Sequence, residues 1–316
     1  MFNILLSFLL LVGLLVLFGW LTWRAIKAER LWVKIVGGLL AGALTLVLAG
    51  VTFVAAKGMA SFYLAPAPVP ELTVEGTPEQ IARGEYLAKI GCVGCHGAEG
   101  KGEMPLTGGL DLSGDIPVPA GSYIAANITP GGVLAERSDG ELFRSIRHGF
   151  GPKQRLGFMS FMPYGQLSDE DIKAIIAYLR SQEPVTTASN GGDEPNLLGV
   201  LLFFGSGILP MPEHPQGVVS APPRGQTVEY GKYVATFGEC RACHGADMTG
   251  SPATAISTAV PNPRPILATW SLEQFMQTMR SGVRPDGRAL DMPWKNASMM
   301  NDEDLGALYV YLTSQP

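Results

Sequence analysis

The motif C-x-x-C-H occurs twice, at residues 92–96 and 240–244, and its two copies contain every cysteine of the 316-residue chain. These cysteines are Cys92, Cys95, Cys240 and Cys243. The motif is the attachment signature of c-type haem: the two thiols bond to the porphyrin vinyl groups, and the adjacent histidine becomes the proximal iron ligand. We therefore predict two covalently attached haem c groups, with His96 and His244 as iron ligands.

Three other uses of paired cysteines fit the sequence less well. Four thiols could bind one structural zinc ion, but the histidine after each pair would then have no role. A thioredoxin-like redox pair belongs near a βαβ pattern, which this sequence lacks. Disulfide bonds are disfavoured because a gap of two residues is a poor spacing and no further thiol is available.

Charge and hydropathy narrow the class of protein. The net charge is −5 and no block of basic residues occurs, so a nucleic-acid partner is unsupported. The mean hydropathy of +0.19 is high for a water-soluble protein, and the first fifth of the chain causes it. The length is sufficient for about two ordinary domains.

Two uncharged runs near the N-terminus are each long enough to cross a membrane. Residues 1–23 contain no charged side chain, and 22 residues separate Lys34 from Lys57. A helix of such length spans the hydrocarbon layer of about 30 Å. A cleaved signal peptide, the alternative for the first run, would have a basic start and a small-residue cleavage site, and the run has neither. The sequence predicts two transmembrane helices within residues 1–60.

The connection between these runs fixes their expected orientation. It carries Arg24, Lys27, Arg30 and Lys34 against a single Glu29. By the positive-inside rule this connection is cytoplasmic, so both termini lie on the periplasmic side. Haem c is attached on that side of a bacterial membrane, so the topology agrees with the motif. We predict a two-pass protein of the bacterial inner membrane, in contact with the lipid bilayer.

A G-x-x-x-G pattern at Gly38 and Gly42 lies in the second run. Such patterns let helices approach closely, either within this hairpin or against a helix of a partner, although glycine is also simply common in membrane helices. Two spans exceed what a tether needs, so the sequence indicates other membrane subunits as partners.

The chain beyond residue 60 is divided into four segments. Residues 61–73 are rich in proline, which favours a stiff extended spacer. Residues 74–186 and 225–316 then form two similar halves, joined by a linker at residues 187–224. In each half a short helix leads into the cysteine motif and an amphipathic helix closes the domain.

The halves share one sequence offset over their middle and closing helices. Arg280 follows Arg147 by 133 residues, and Asn301 follows Ser168 by the same number. Ser168 and Asn301 are expected to be N-caps of the closing helices, which both begin with acidic residues that suit the helix dipole. The repeat predicts two small helical domains of the same kind.

A helix ending in C-x-x-C-H, a long loop bearing Met-Pro and a closing amphipathic helix together resemble class I cytochrome c, over about residues 74–316. The resemblance implies an all-α fold: a transmembrane helix hairpin followed by two tandem cytochrome c domains. The stretches at residues 127–130, 161–164 and 167–171 are similar to multihaem cytochrome c subunits of membrane-bound dehydrogenases and respiratory complexes. Those subunits usually have three haem domains and a different anchor, so no particular dehydrogenase partner is implied.

The sixth iron ligand decides the chemistry of a haem, because His/Met ligation gives an electron carrier of raised potential and an open position binds small molecules. Met162 and Met292 each precede a proline shortly before a closing helix, 66 and 48 residues after the motif histidines. They are the expected ligands. Met159 could replace Met162 in another loop register, whereas Met211-Pro212 lies beyond the first closing helix.

Three further side chains are candidates for the haem surroundings. Arg147 and Arg280 recur at matched positions and are expected to hold haem propionates, or else to be exposed at helix ends. His148 could be a second imidazole ligand, but its counterpart is Ser281, so a surface or propionate-adjacent role is favoured.

The linker contains an apolar stretch at residues 197–204 that is too short to cross a membrane. It either packs between or beside the haem domains or presents an apolar surface to the bilayer or a partner. We expect the former.

No acid–base pair or nucleophile accompanies the motifs, so the sequence favours an electron-transfer subunit without a catalytic site of its own. It would transfer single electrons from a quinol-oxidising or dehydrogenase complex to a soluble cytochrome or terminal oxidase. A peroxidase-like dihaem enzyme with one labile ligand is the alternative, and a non-redox scaffold is a third.

Overall fold

A computed structural model describes residues 2–186, 191–209, 211–212, 215, 217–254 and 258–314. Its contacts divide the chain into two compact units. Unit 1 comprises Met1–Ala65, Val118–Ser122 and Glu194–Pro210, and unit 2 comprises Pro66–Pro117, Tyr123–Asp193 and Met211–Pro316. The predicted linker lies partly outside the described residues, and the domain limits given above stay predictions.

The described residues are mostly helical. The α-helices are α1 (Phe2–Ile26), α2 (Gly38–Tyr63), α3 (Pro78–Gly91), α4 (Val93–His96), α5 (Asp139–His148), α6 (Asp169–Ser181), α7 (Leu197–Gly199), α8 (Val228–Phe237), α9 (Cys240–His244), α10 (Arg264–Leu267), α11 (Leu272–Ser281) and α12 (Asp302–Thr313). A two-stranded sheet of β1 (Gly121–Ile124) and β2 (Gly192–Pro195) makes the all-α prediction wrong in this detail. Gly121 has a φ of 116°, a conformation that favours glycine and that sequence periodicity does not reveal.

In unit 1, α1 and α2 are long and apolar enough to cross a membrane. The mean hydropathy is 2.8 for α1 and 2.3 for the span Val33–Tyr63, which includes a π-helical turn before α2. Only 6 % of each span's most apolar stretch is buried within the protein, whereas a core helix of a soluble protein would be mostly buried. These helices suit a membrane anchor.

Small residues bring α1 and α2 together. A Cβ at Gly42 would lie 3.6 Å from Thr22 Cγ2, and a Cβ at Gly38 would lie 3.9 Å from Ile26 Cγ1, so the G-x-x-x-G pattern faces the other helix of the hairpin. The hydroxyl groups of Thr22 and Thr45 are 3.0 Å apart and share a hydrogen bond. Small contact residues and a shared hydroxyl hydrogen bond are typical of helix association in membranes.

The apolar stretch of the linker packs against α2 within unit 1. We call residues 197–205 the apolar turn; it consists of α7 and the π-helical turn Val200–Gly205. The Phe204 ring lies 5.1 Å from the Phe62 ring, and both side chains are buried. The structure shows this contact with α2, and the expected packing between or beside the haem domains stays a prediction. Hydrophobicity alone shows that the stretch must be covered, and two glycines at the contact allow α2 to cover it.

In unit 2 the two halves have matching helix pairs. The first helix of each half crosses the closing helix at a glycine: a Cβ at Gly84 would lie 1.8 Å from the Ala174 carbonyl oxygen, and one at Gly231 would lie 2.0 Å from that of Ala307. The predicted N-caps are confirmed, because the side chain of Ser168 accepts from the Asp171 N–H and that of Asn301 from the Asp304 N–H.

The two halves contact each other through reciprocal hydrogen bonds. Tyr86 of the first half donates to Asp304 of the second at 2.5 Å, and Tyr233 of the second donates to Asp171 of the first at 2.7 Å. Both hydroxyls also accept from the N-cap backbone of the opposite closing helix, at 3.0 and 2.9 Å. Because the same two positions are used in both directions, the halves are related by a pseudo-twofold axis.

Candidate functional site

The first cysteine motif follows directly from a well-defined helix. Thr77 forms a capping box at the start of α3, which sets the register of that helix. At its other end the Cys92 N–H donates to the Ala88 carbonyl oxygen at 2.8 Å, and the His96 N–H donates to the Cys92 carbonyl oxygen at 2.8 Å. One further helical turn, α4, thus carries Cys95 and His96 on the same short scaffold as Cys92.

The His96 imidazole is oriented for a metal ligand. Its Nδ1 is 2.7 Å from the Ala126 carbonyl oxygen, and because a carbonyl only accepts, Nδ1 carries the proton. Burial lowers the pKa of His96, although the hydrogen bond to Ala126 opposes this. The ring is therefore neutral, with an unprotonated Nε2 available. A backbone acceptor on one ring nitrogen is the arrangement that usually orients histidine towards a metal.

The second motif repeats this arrangement. His244 Nδ1 is 2.9 Å from the Pro261 carbonyl oxygen. Ala126 and Pro261 each precede an asparagine, so the acceptors come from corresponding points of the two halves. Two cysteines and a histidine of matching orientation in each half fit covalent haem c with a proximal imidazole.

The four thiols do not form a metal site of their own. All four are unpaired, and among the described residues no cluster of three or more His, Cys, Asp or Glu side chains could hold a metal ion. Burial, together with the charge of Glu239, raises the pKa of Cys92 and of Cys240 to about 12. The structural-zinc alternative is disfavoured because, among the described residues, neither cysteine pair has the further ligands that a structural zinc ion needs.

The two motifs approach each other at the contact between the halves. Gly91 and Glu239 are equivalent residues, each directly before the first cysteine of its motif. Tyr164 lies between them: its hydroxyl donates to the Gly91 carbonyl oxygen at 2.5 Å and contacts the Glu239 carboxylate. A Cβ on Gly91 would lie 3.4 Å from the Phe237 carbonyl oxygen, so the backbones beside the two motifs nearly touch.

Sequence reasoning missed Glu239. Its φ of 61° is in the left-handed region, and it adds to burial in raising the pKa of the thiols in both motifs. Burial raises the pKa of Glu239 itself to about 7, although the contact with the Tyr164 hydroxyl opposes this. The sequence did contain one signal for this residue: Glu239 stands directly before the second cysteine motif, where the first half has Gly91.

We expect Glu239→Gln to remove a pH dependence of stability. With a pKa of about 7 in the folded protein against an ordinary value of 4.5, Glu239 keeps its proton on folding, so stability falls as pH rises from about 4.5 to 7. The wild-type free energy of unfolding should fall by about 2 to 3 kcal/mol relative to the variant across that window.

Urea unfolding of the haem-loaded protein in detergent at pH 4 and pH 8 measures this difference. The variant should match the wild type at pH 4 and exceed it at pH 8. Glu229→Gln is the control at an exposed position of the next helix upstream and should show no such divergence. Parallel curves for wild type and Glu239→Gln would contradict the prediction.

In each half the candidate methionine ligands lie in a loop before the closing helix, between α5 and α6 or between α11 and α12; we call it the methionine loop. Hydrogen bonds at the C-terminal end of this loop show which methionines of the two halves are equivalent. Arg147 donates to the Gly165 carbonyl oxygen at 2.7 Å, and Arg280 donates to that of Ser298. Both arginines and both acceptors are 133 residues apart. Counting six residues back from each acceptor gives Met159 in the first half and Met292 in the second, whereas Met162 lies only three residues before Gly165.

Hydrogen bonds at the N-terminal end of the methionine loop also favour Met159 as the equivalent of Met292. The helices before it end at glycines with φ of 58° and 69°, and each of these carbonyl groups accepts at 2.7 Å, from the N–H of Leu156 in one half and Leu290 in the other. Met159 follows Leu156 by three residues and Met292 follows Leu290 by two, whereas Met162 follows by six. Met159 also lines the small apolar cavity beside Cys92.

The matched arginines have a role in the loop. Besides the bond to Gly165, Arg147 donates to the Leu167 carbonyl oxygen at 2.6 Å and pairs with Asp169. Arg280 pairs with the equivalent Asp302 at 2.8 Å. Both guanidinium groups thus hold the segment between the methionine and the closing helix, and their contact with haem propionates stays a prediction. His148 ends α5, and its place near a haem likewise stays a prediction.

Both halves match one protein family. Residues 79–179 and 227–312 match the family described as cytochrome c oxidase, cbb3-type, subunit III. These two ranges contain both cysteine motifs and nearly all of the helical residues of the two halves, and together they cover more than half of the chain.

Three relatives of this chain are cytochrome subunits of dehydrogenases. It is 29 % identical over 270 residues, 74 % of the chain, to the gluconate 2-dehydrogenase cytochrome c subunit of Pantoea cypripedii, of which it covers 59 %. It is 34 % identical over 97 residues, 27 % of the chain and 21 % of the relative, to the cytochrome c subunit of the quinone alcohol dehydrogenase of Gluconacetobacter polyoxogenes. It is 28 % identical over 130 residues, 37 % of the chain and 26 % of the relative, to the fructose dehydrogenase cytochrome subunit of Gluconobacter japonicus.

Proposed function

Because this chain belongs to the family described as subunit III of cbb3-type cytochrome c oxidase, we propose that it is a membrane-anchored electron-transfer subunit with two covalently bound haem c groups. It accepts single electrons from a quinol-oxidising or dehydrogenase complex and passes them to a soluble cytochrome or a terminal oxidase. Haem c supplies the one-electron chemistry. The helix hairpin holds the chain in the bacterial inner membrane, with both termini on the periplasmic side.

The observation that carries this proposal is the meeting of two matched motifs at one contact. Each half has an imidazole held through Nδ1 by a backbone carbonyl, at 2.7 and 2.9 Å. The residues directly before the two motifs both contact the hydroxyl of Tyr164. Such a short separation between motifs suits relay between two redox groups, whereas two independent binding domains would need no direct contact.

Cys92, Cys95 and His96 would hold the first haem, and Cys240, Cys243 and His244 the second. Met292 is proposed as the sixth ligand in the second half. In the first half we propose Met159 in preference to Met162, because only Met159 has the same loop register as Met292 and lines the cavity beside Cys92. Arg147 and Arg280 position this loop through its carbonyl groups.

The test begins with the chain isolated from native membranes in mild detergent. A haemochrome assay should give two covalently bound haems per polypeptide, and fewer than two would contradict the proposal. Membranes lacking the chain should lose electron flow from the donor complex to an added soluble cytochrome, and the restored chain should recover it. Normal flow in its absence would assign the transfer to another protein.

Methionine variants test the ligand assignment. We expect Met159→Ala to abolish the thioether-to-iron absorption band of one oxidised haem and to lower its potential on the order of 100 mV, because the sulfur ligand stabilises the reduced iron. Met292→Ala should do the same to the other haem, and Met162→Ala is the matched control. Loss of the band in Met162→Ala but not in Met159→Ala would restore Met162 as the ligand.

A further inference from the structure

We propose that the apolar turn, residues 197–205, is a third membrane-contacting element that lies in the outer leaflet of the bilayer beside the end of α2. It enters the lipid from the outer side of the membrane and does not cross it. This placement depends on the two spanning helices and does not depend on electron transfer.

The contact between the apolar turn and α2 is a close backbone contact. A Cβ at Gly58 would lie 2.6 Å from the Val200 carbonyl oxygen, and one at Gly205 would lie 2.2 Å from the Val54 carbonyl oxygen. Neither position has room for a side chain. Close approach at small residues is how helices pack where lipid, and not water, surrounds them.

The position of this contact along α2 sets its depth. Lys57 is the last charged residue of α2 and is exposed, which suits a side chain that reaches the headgroup region. Gly205 packs against Val54, which lies on the hydrocarbon side of Lys57, while Phe204 packs against Phe62 beyond it. The apolar turn therefore straddles the level at which α2 leaves the hydrocarbon.

The part of the apolar turn that stays accessible after packing on α2 is also apolar. Leu198 is 39 % exposed, Leu201 and Leu202 are half-buried, and no charged residue occurs from Asn196 to Pro212. At the N-terminal end of the turn a backbone donor is already satisfied, because the Asn196 side chain accepts from the Gly199 N–H at 3.0 Å. Capped and free of charge, it can enter lipid without leaving that end of its backbone unsatisfied.

Lipid is the occupant that the surroundings favour. Leu198 is exposed on an element that packs against α2, and Phe53 of α2, next in sequence to the contact residue Val54, is 71 % exposed. In a membrane-spanning helix such a side chain faces lipid. An apolar surface on an element packed against that helix faces the same medium, and leaving it in water would cost about 25 cal/mol for each Å² exposed.

Spin labels at single introduced cysteines test this in the full chain reconstituted in lipid nanodiscs. Leu198→Cys and Leu202→Cys are the test sites, and Val218→Cys, at a position 79 % exposed in unit 2, is the control. Collision rates are measured with oxygen, which concentrates in lipid, and with a water-soluble nickel chelate. Labels at 198 and 202 should collide several-fold more with oxygen than with nickel, and the label at 218 should show the reverse.

Equal or greater nickel collisions at 198 and 202 would place the apolar turn in water and overturn the proposal. Exclusion of both reagents would show cover by protein and would overturn it as well. The protein without an introduced cysteine is treated with the label in parallel, and any signal from it shows native cysteines to which haem is not attached. Incomplete haem attachment is thereby distinguished from a lack of membrane contact.

Discussion

Gly84→Ala is expected to destabilise the haem-bearing unit by about 3 kcal/mol or more, since it forces overpacking against backbone. An alanine Cβ would lie 1.8 Å from the Ala174 carbonyl oxygen and 2.8 Å from Tyr178 Cβ. Neither neighbour is the flexible end of a side chain, so α3 and α6 would have to separate. Separation would open the core behind Cys92, and we expect lower haem content as well.

The second half supplies an internal repeat of this experiment. Gly231→Ala meets the Ala307 carbonyl oxygen at 2.0 Å and should have an effect of the same size. Gly114→Ala is the control, because nothing lies within 4 Å of a Cβ there. Urea midpoints and haem content of the detergent-solubilised proteins measure the effects. A wild-type midpoint in Gly84→Ala would show that the helices do not cross at this distance.

Much of the fold could be predicted because it depends on local patterns. Uncharged runs locate α1 and α2, and Ser168 and Asn301 mark the starts of α6 and α12. The cysteine motifs need no tertiary information either, because their spacing is set by the porphyrin. Each of these features depends on residues close together in the sequence.

The features that could not be predicted from the sequence depend on contacts between residues far apart in the chain. The hydrophobicity of the apolar turn shows that it must be covered, but α2 covers it because Gly58 and Gly205 allow backbone contact. The Met-Pro pattern favours Met162 over Met159, whereas the hydrogen bond from Arg147 to the Gly165 carbonyl oxygen sets a register that favours Met159. Glu239 gains its importance from Tyr164, 75 residues earlier in the chain.

At the contact between the halves, we expect substitutions of two equivalent aspartates to change stability by different amounts, because these aspartates have different partners. Asp171 accepts from Arg83 at 2.8 and 2.7 Å and from Tyr233, whereas Asp304 accepts from Tyr230 at 2.8 Å and from Tyr86. Both aspartates are buried, at 7 % and 1 % exposure. Among the described residues, Asp171 thus forms a buried ion pair, whereas the side chain of Asp304 accepts only from hydroxyl groups.

We expect Asp171→Asn to cost about 3 kcal/mol and Asp304→Asn about 1 kcal/mol or less. The asparagine amide at 171 would direct donors at the Arg83 guanidinium, which can only donate, and would leave its charge uncompensated. At 304 the two tyrosine hydroxyls can each donate or accept, so one can turn to accept from the amide. Urea unfolding of the two haem-loaded variants measures both losses. Equal losses of unfolding free energy would mean that the Arg83 charge does not stabilise the contact between the halves. That contact would then depend on the tyrosine hydroxyl hydrogen bonds alone.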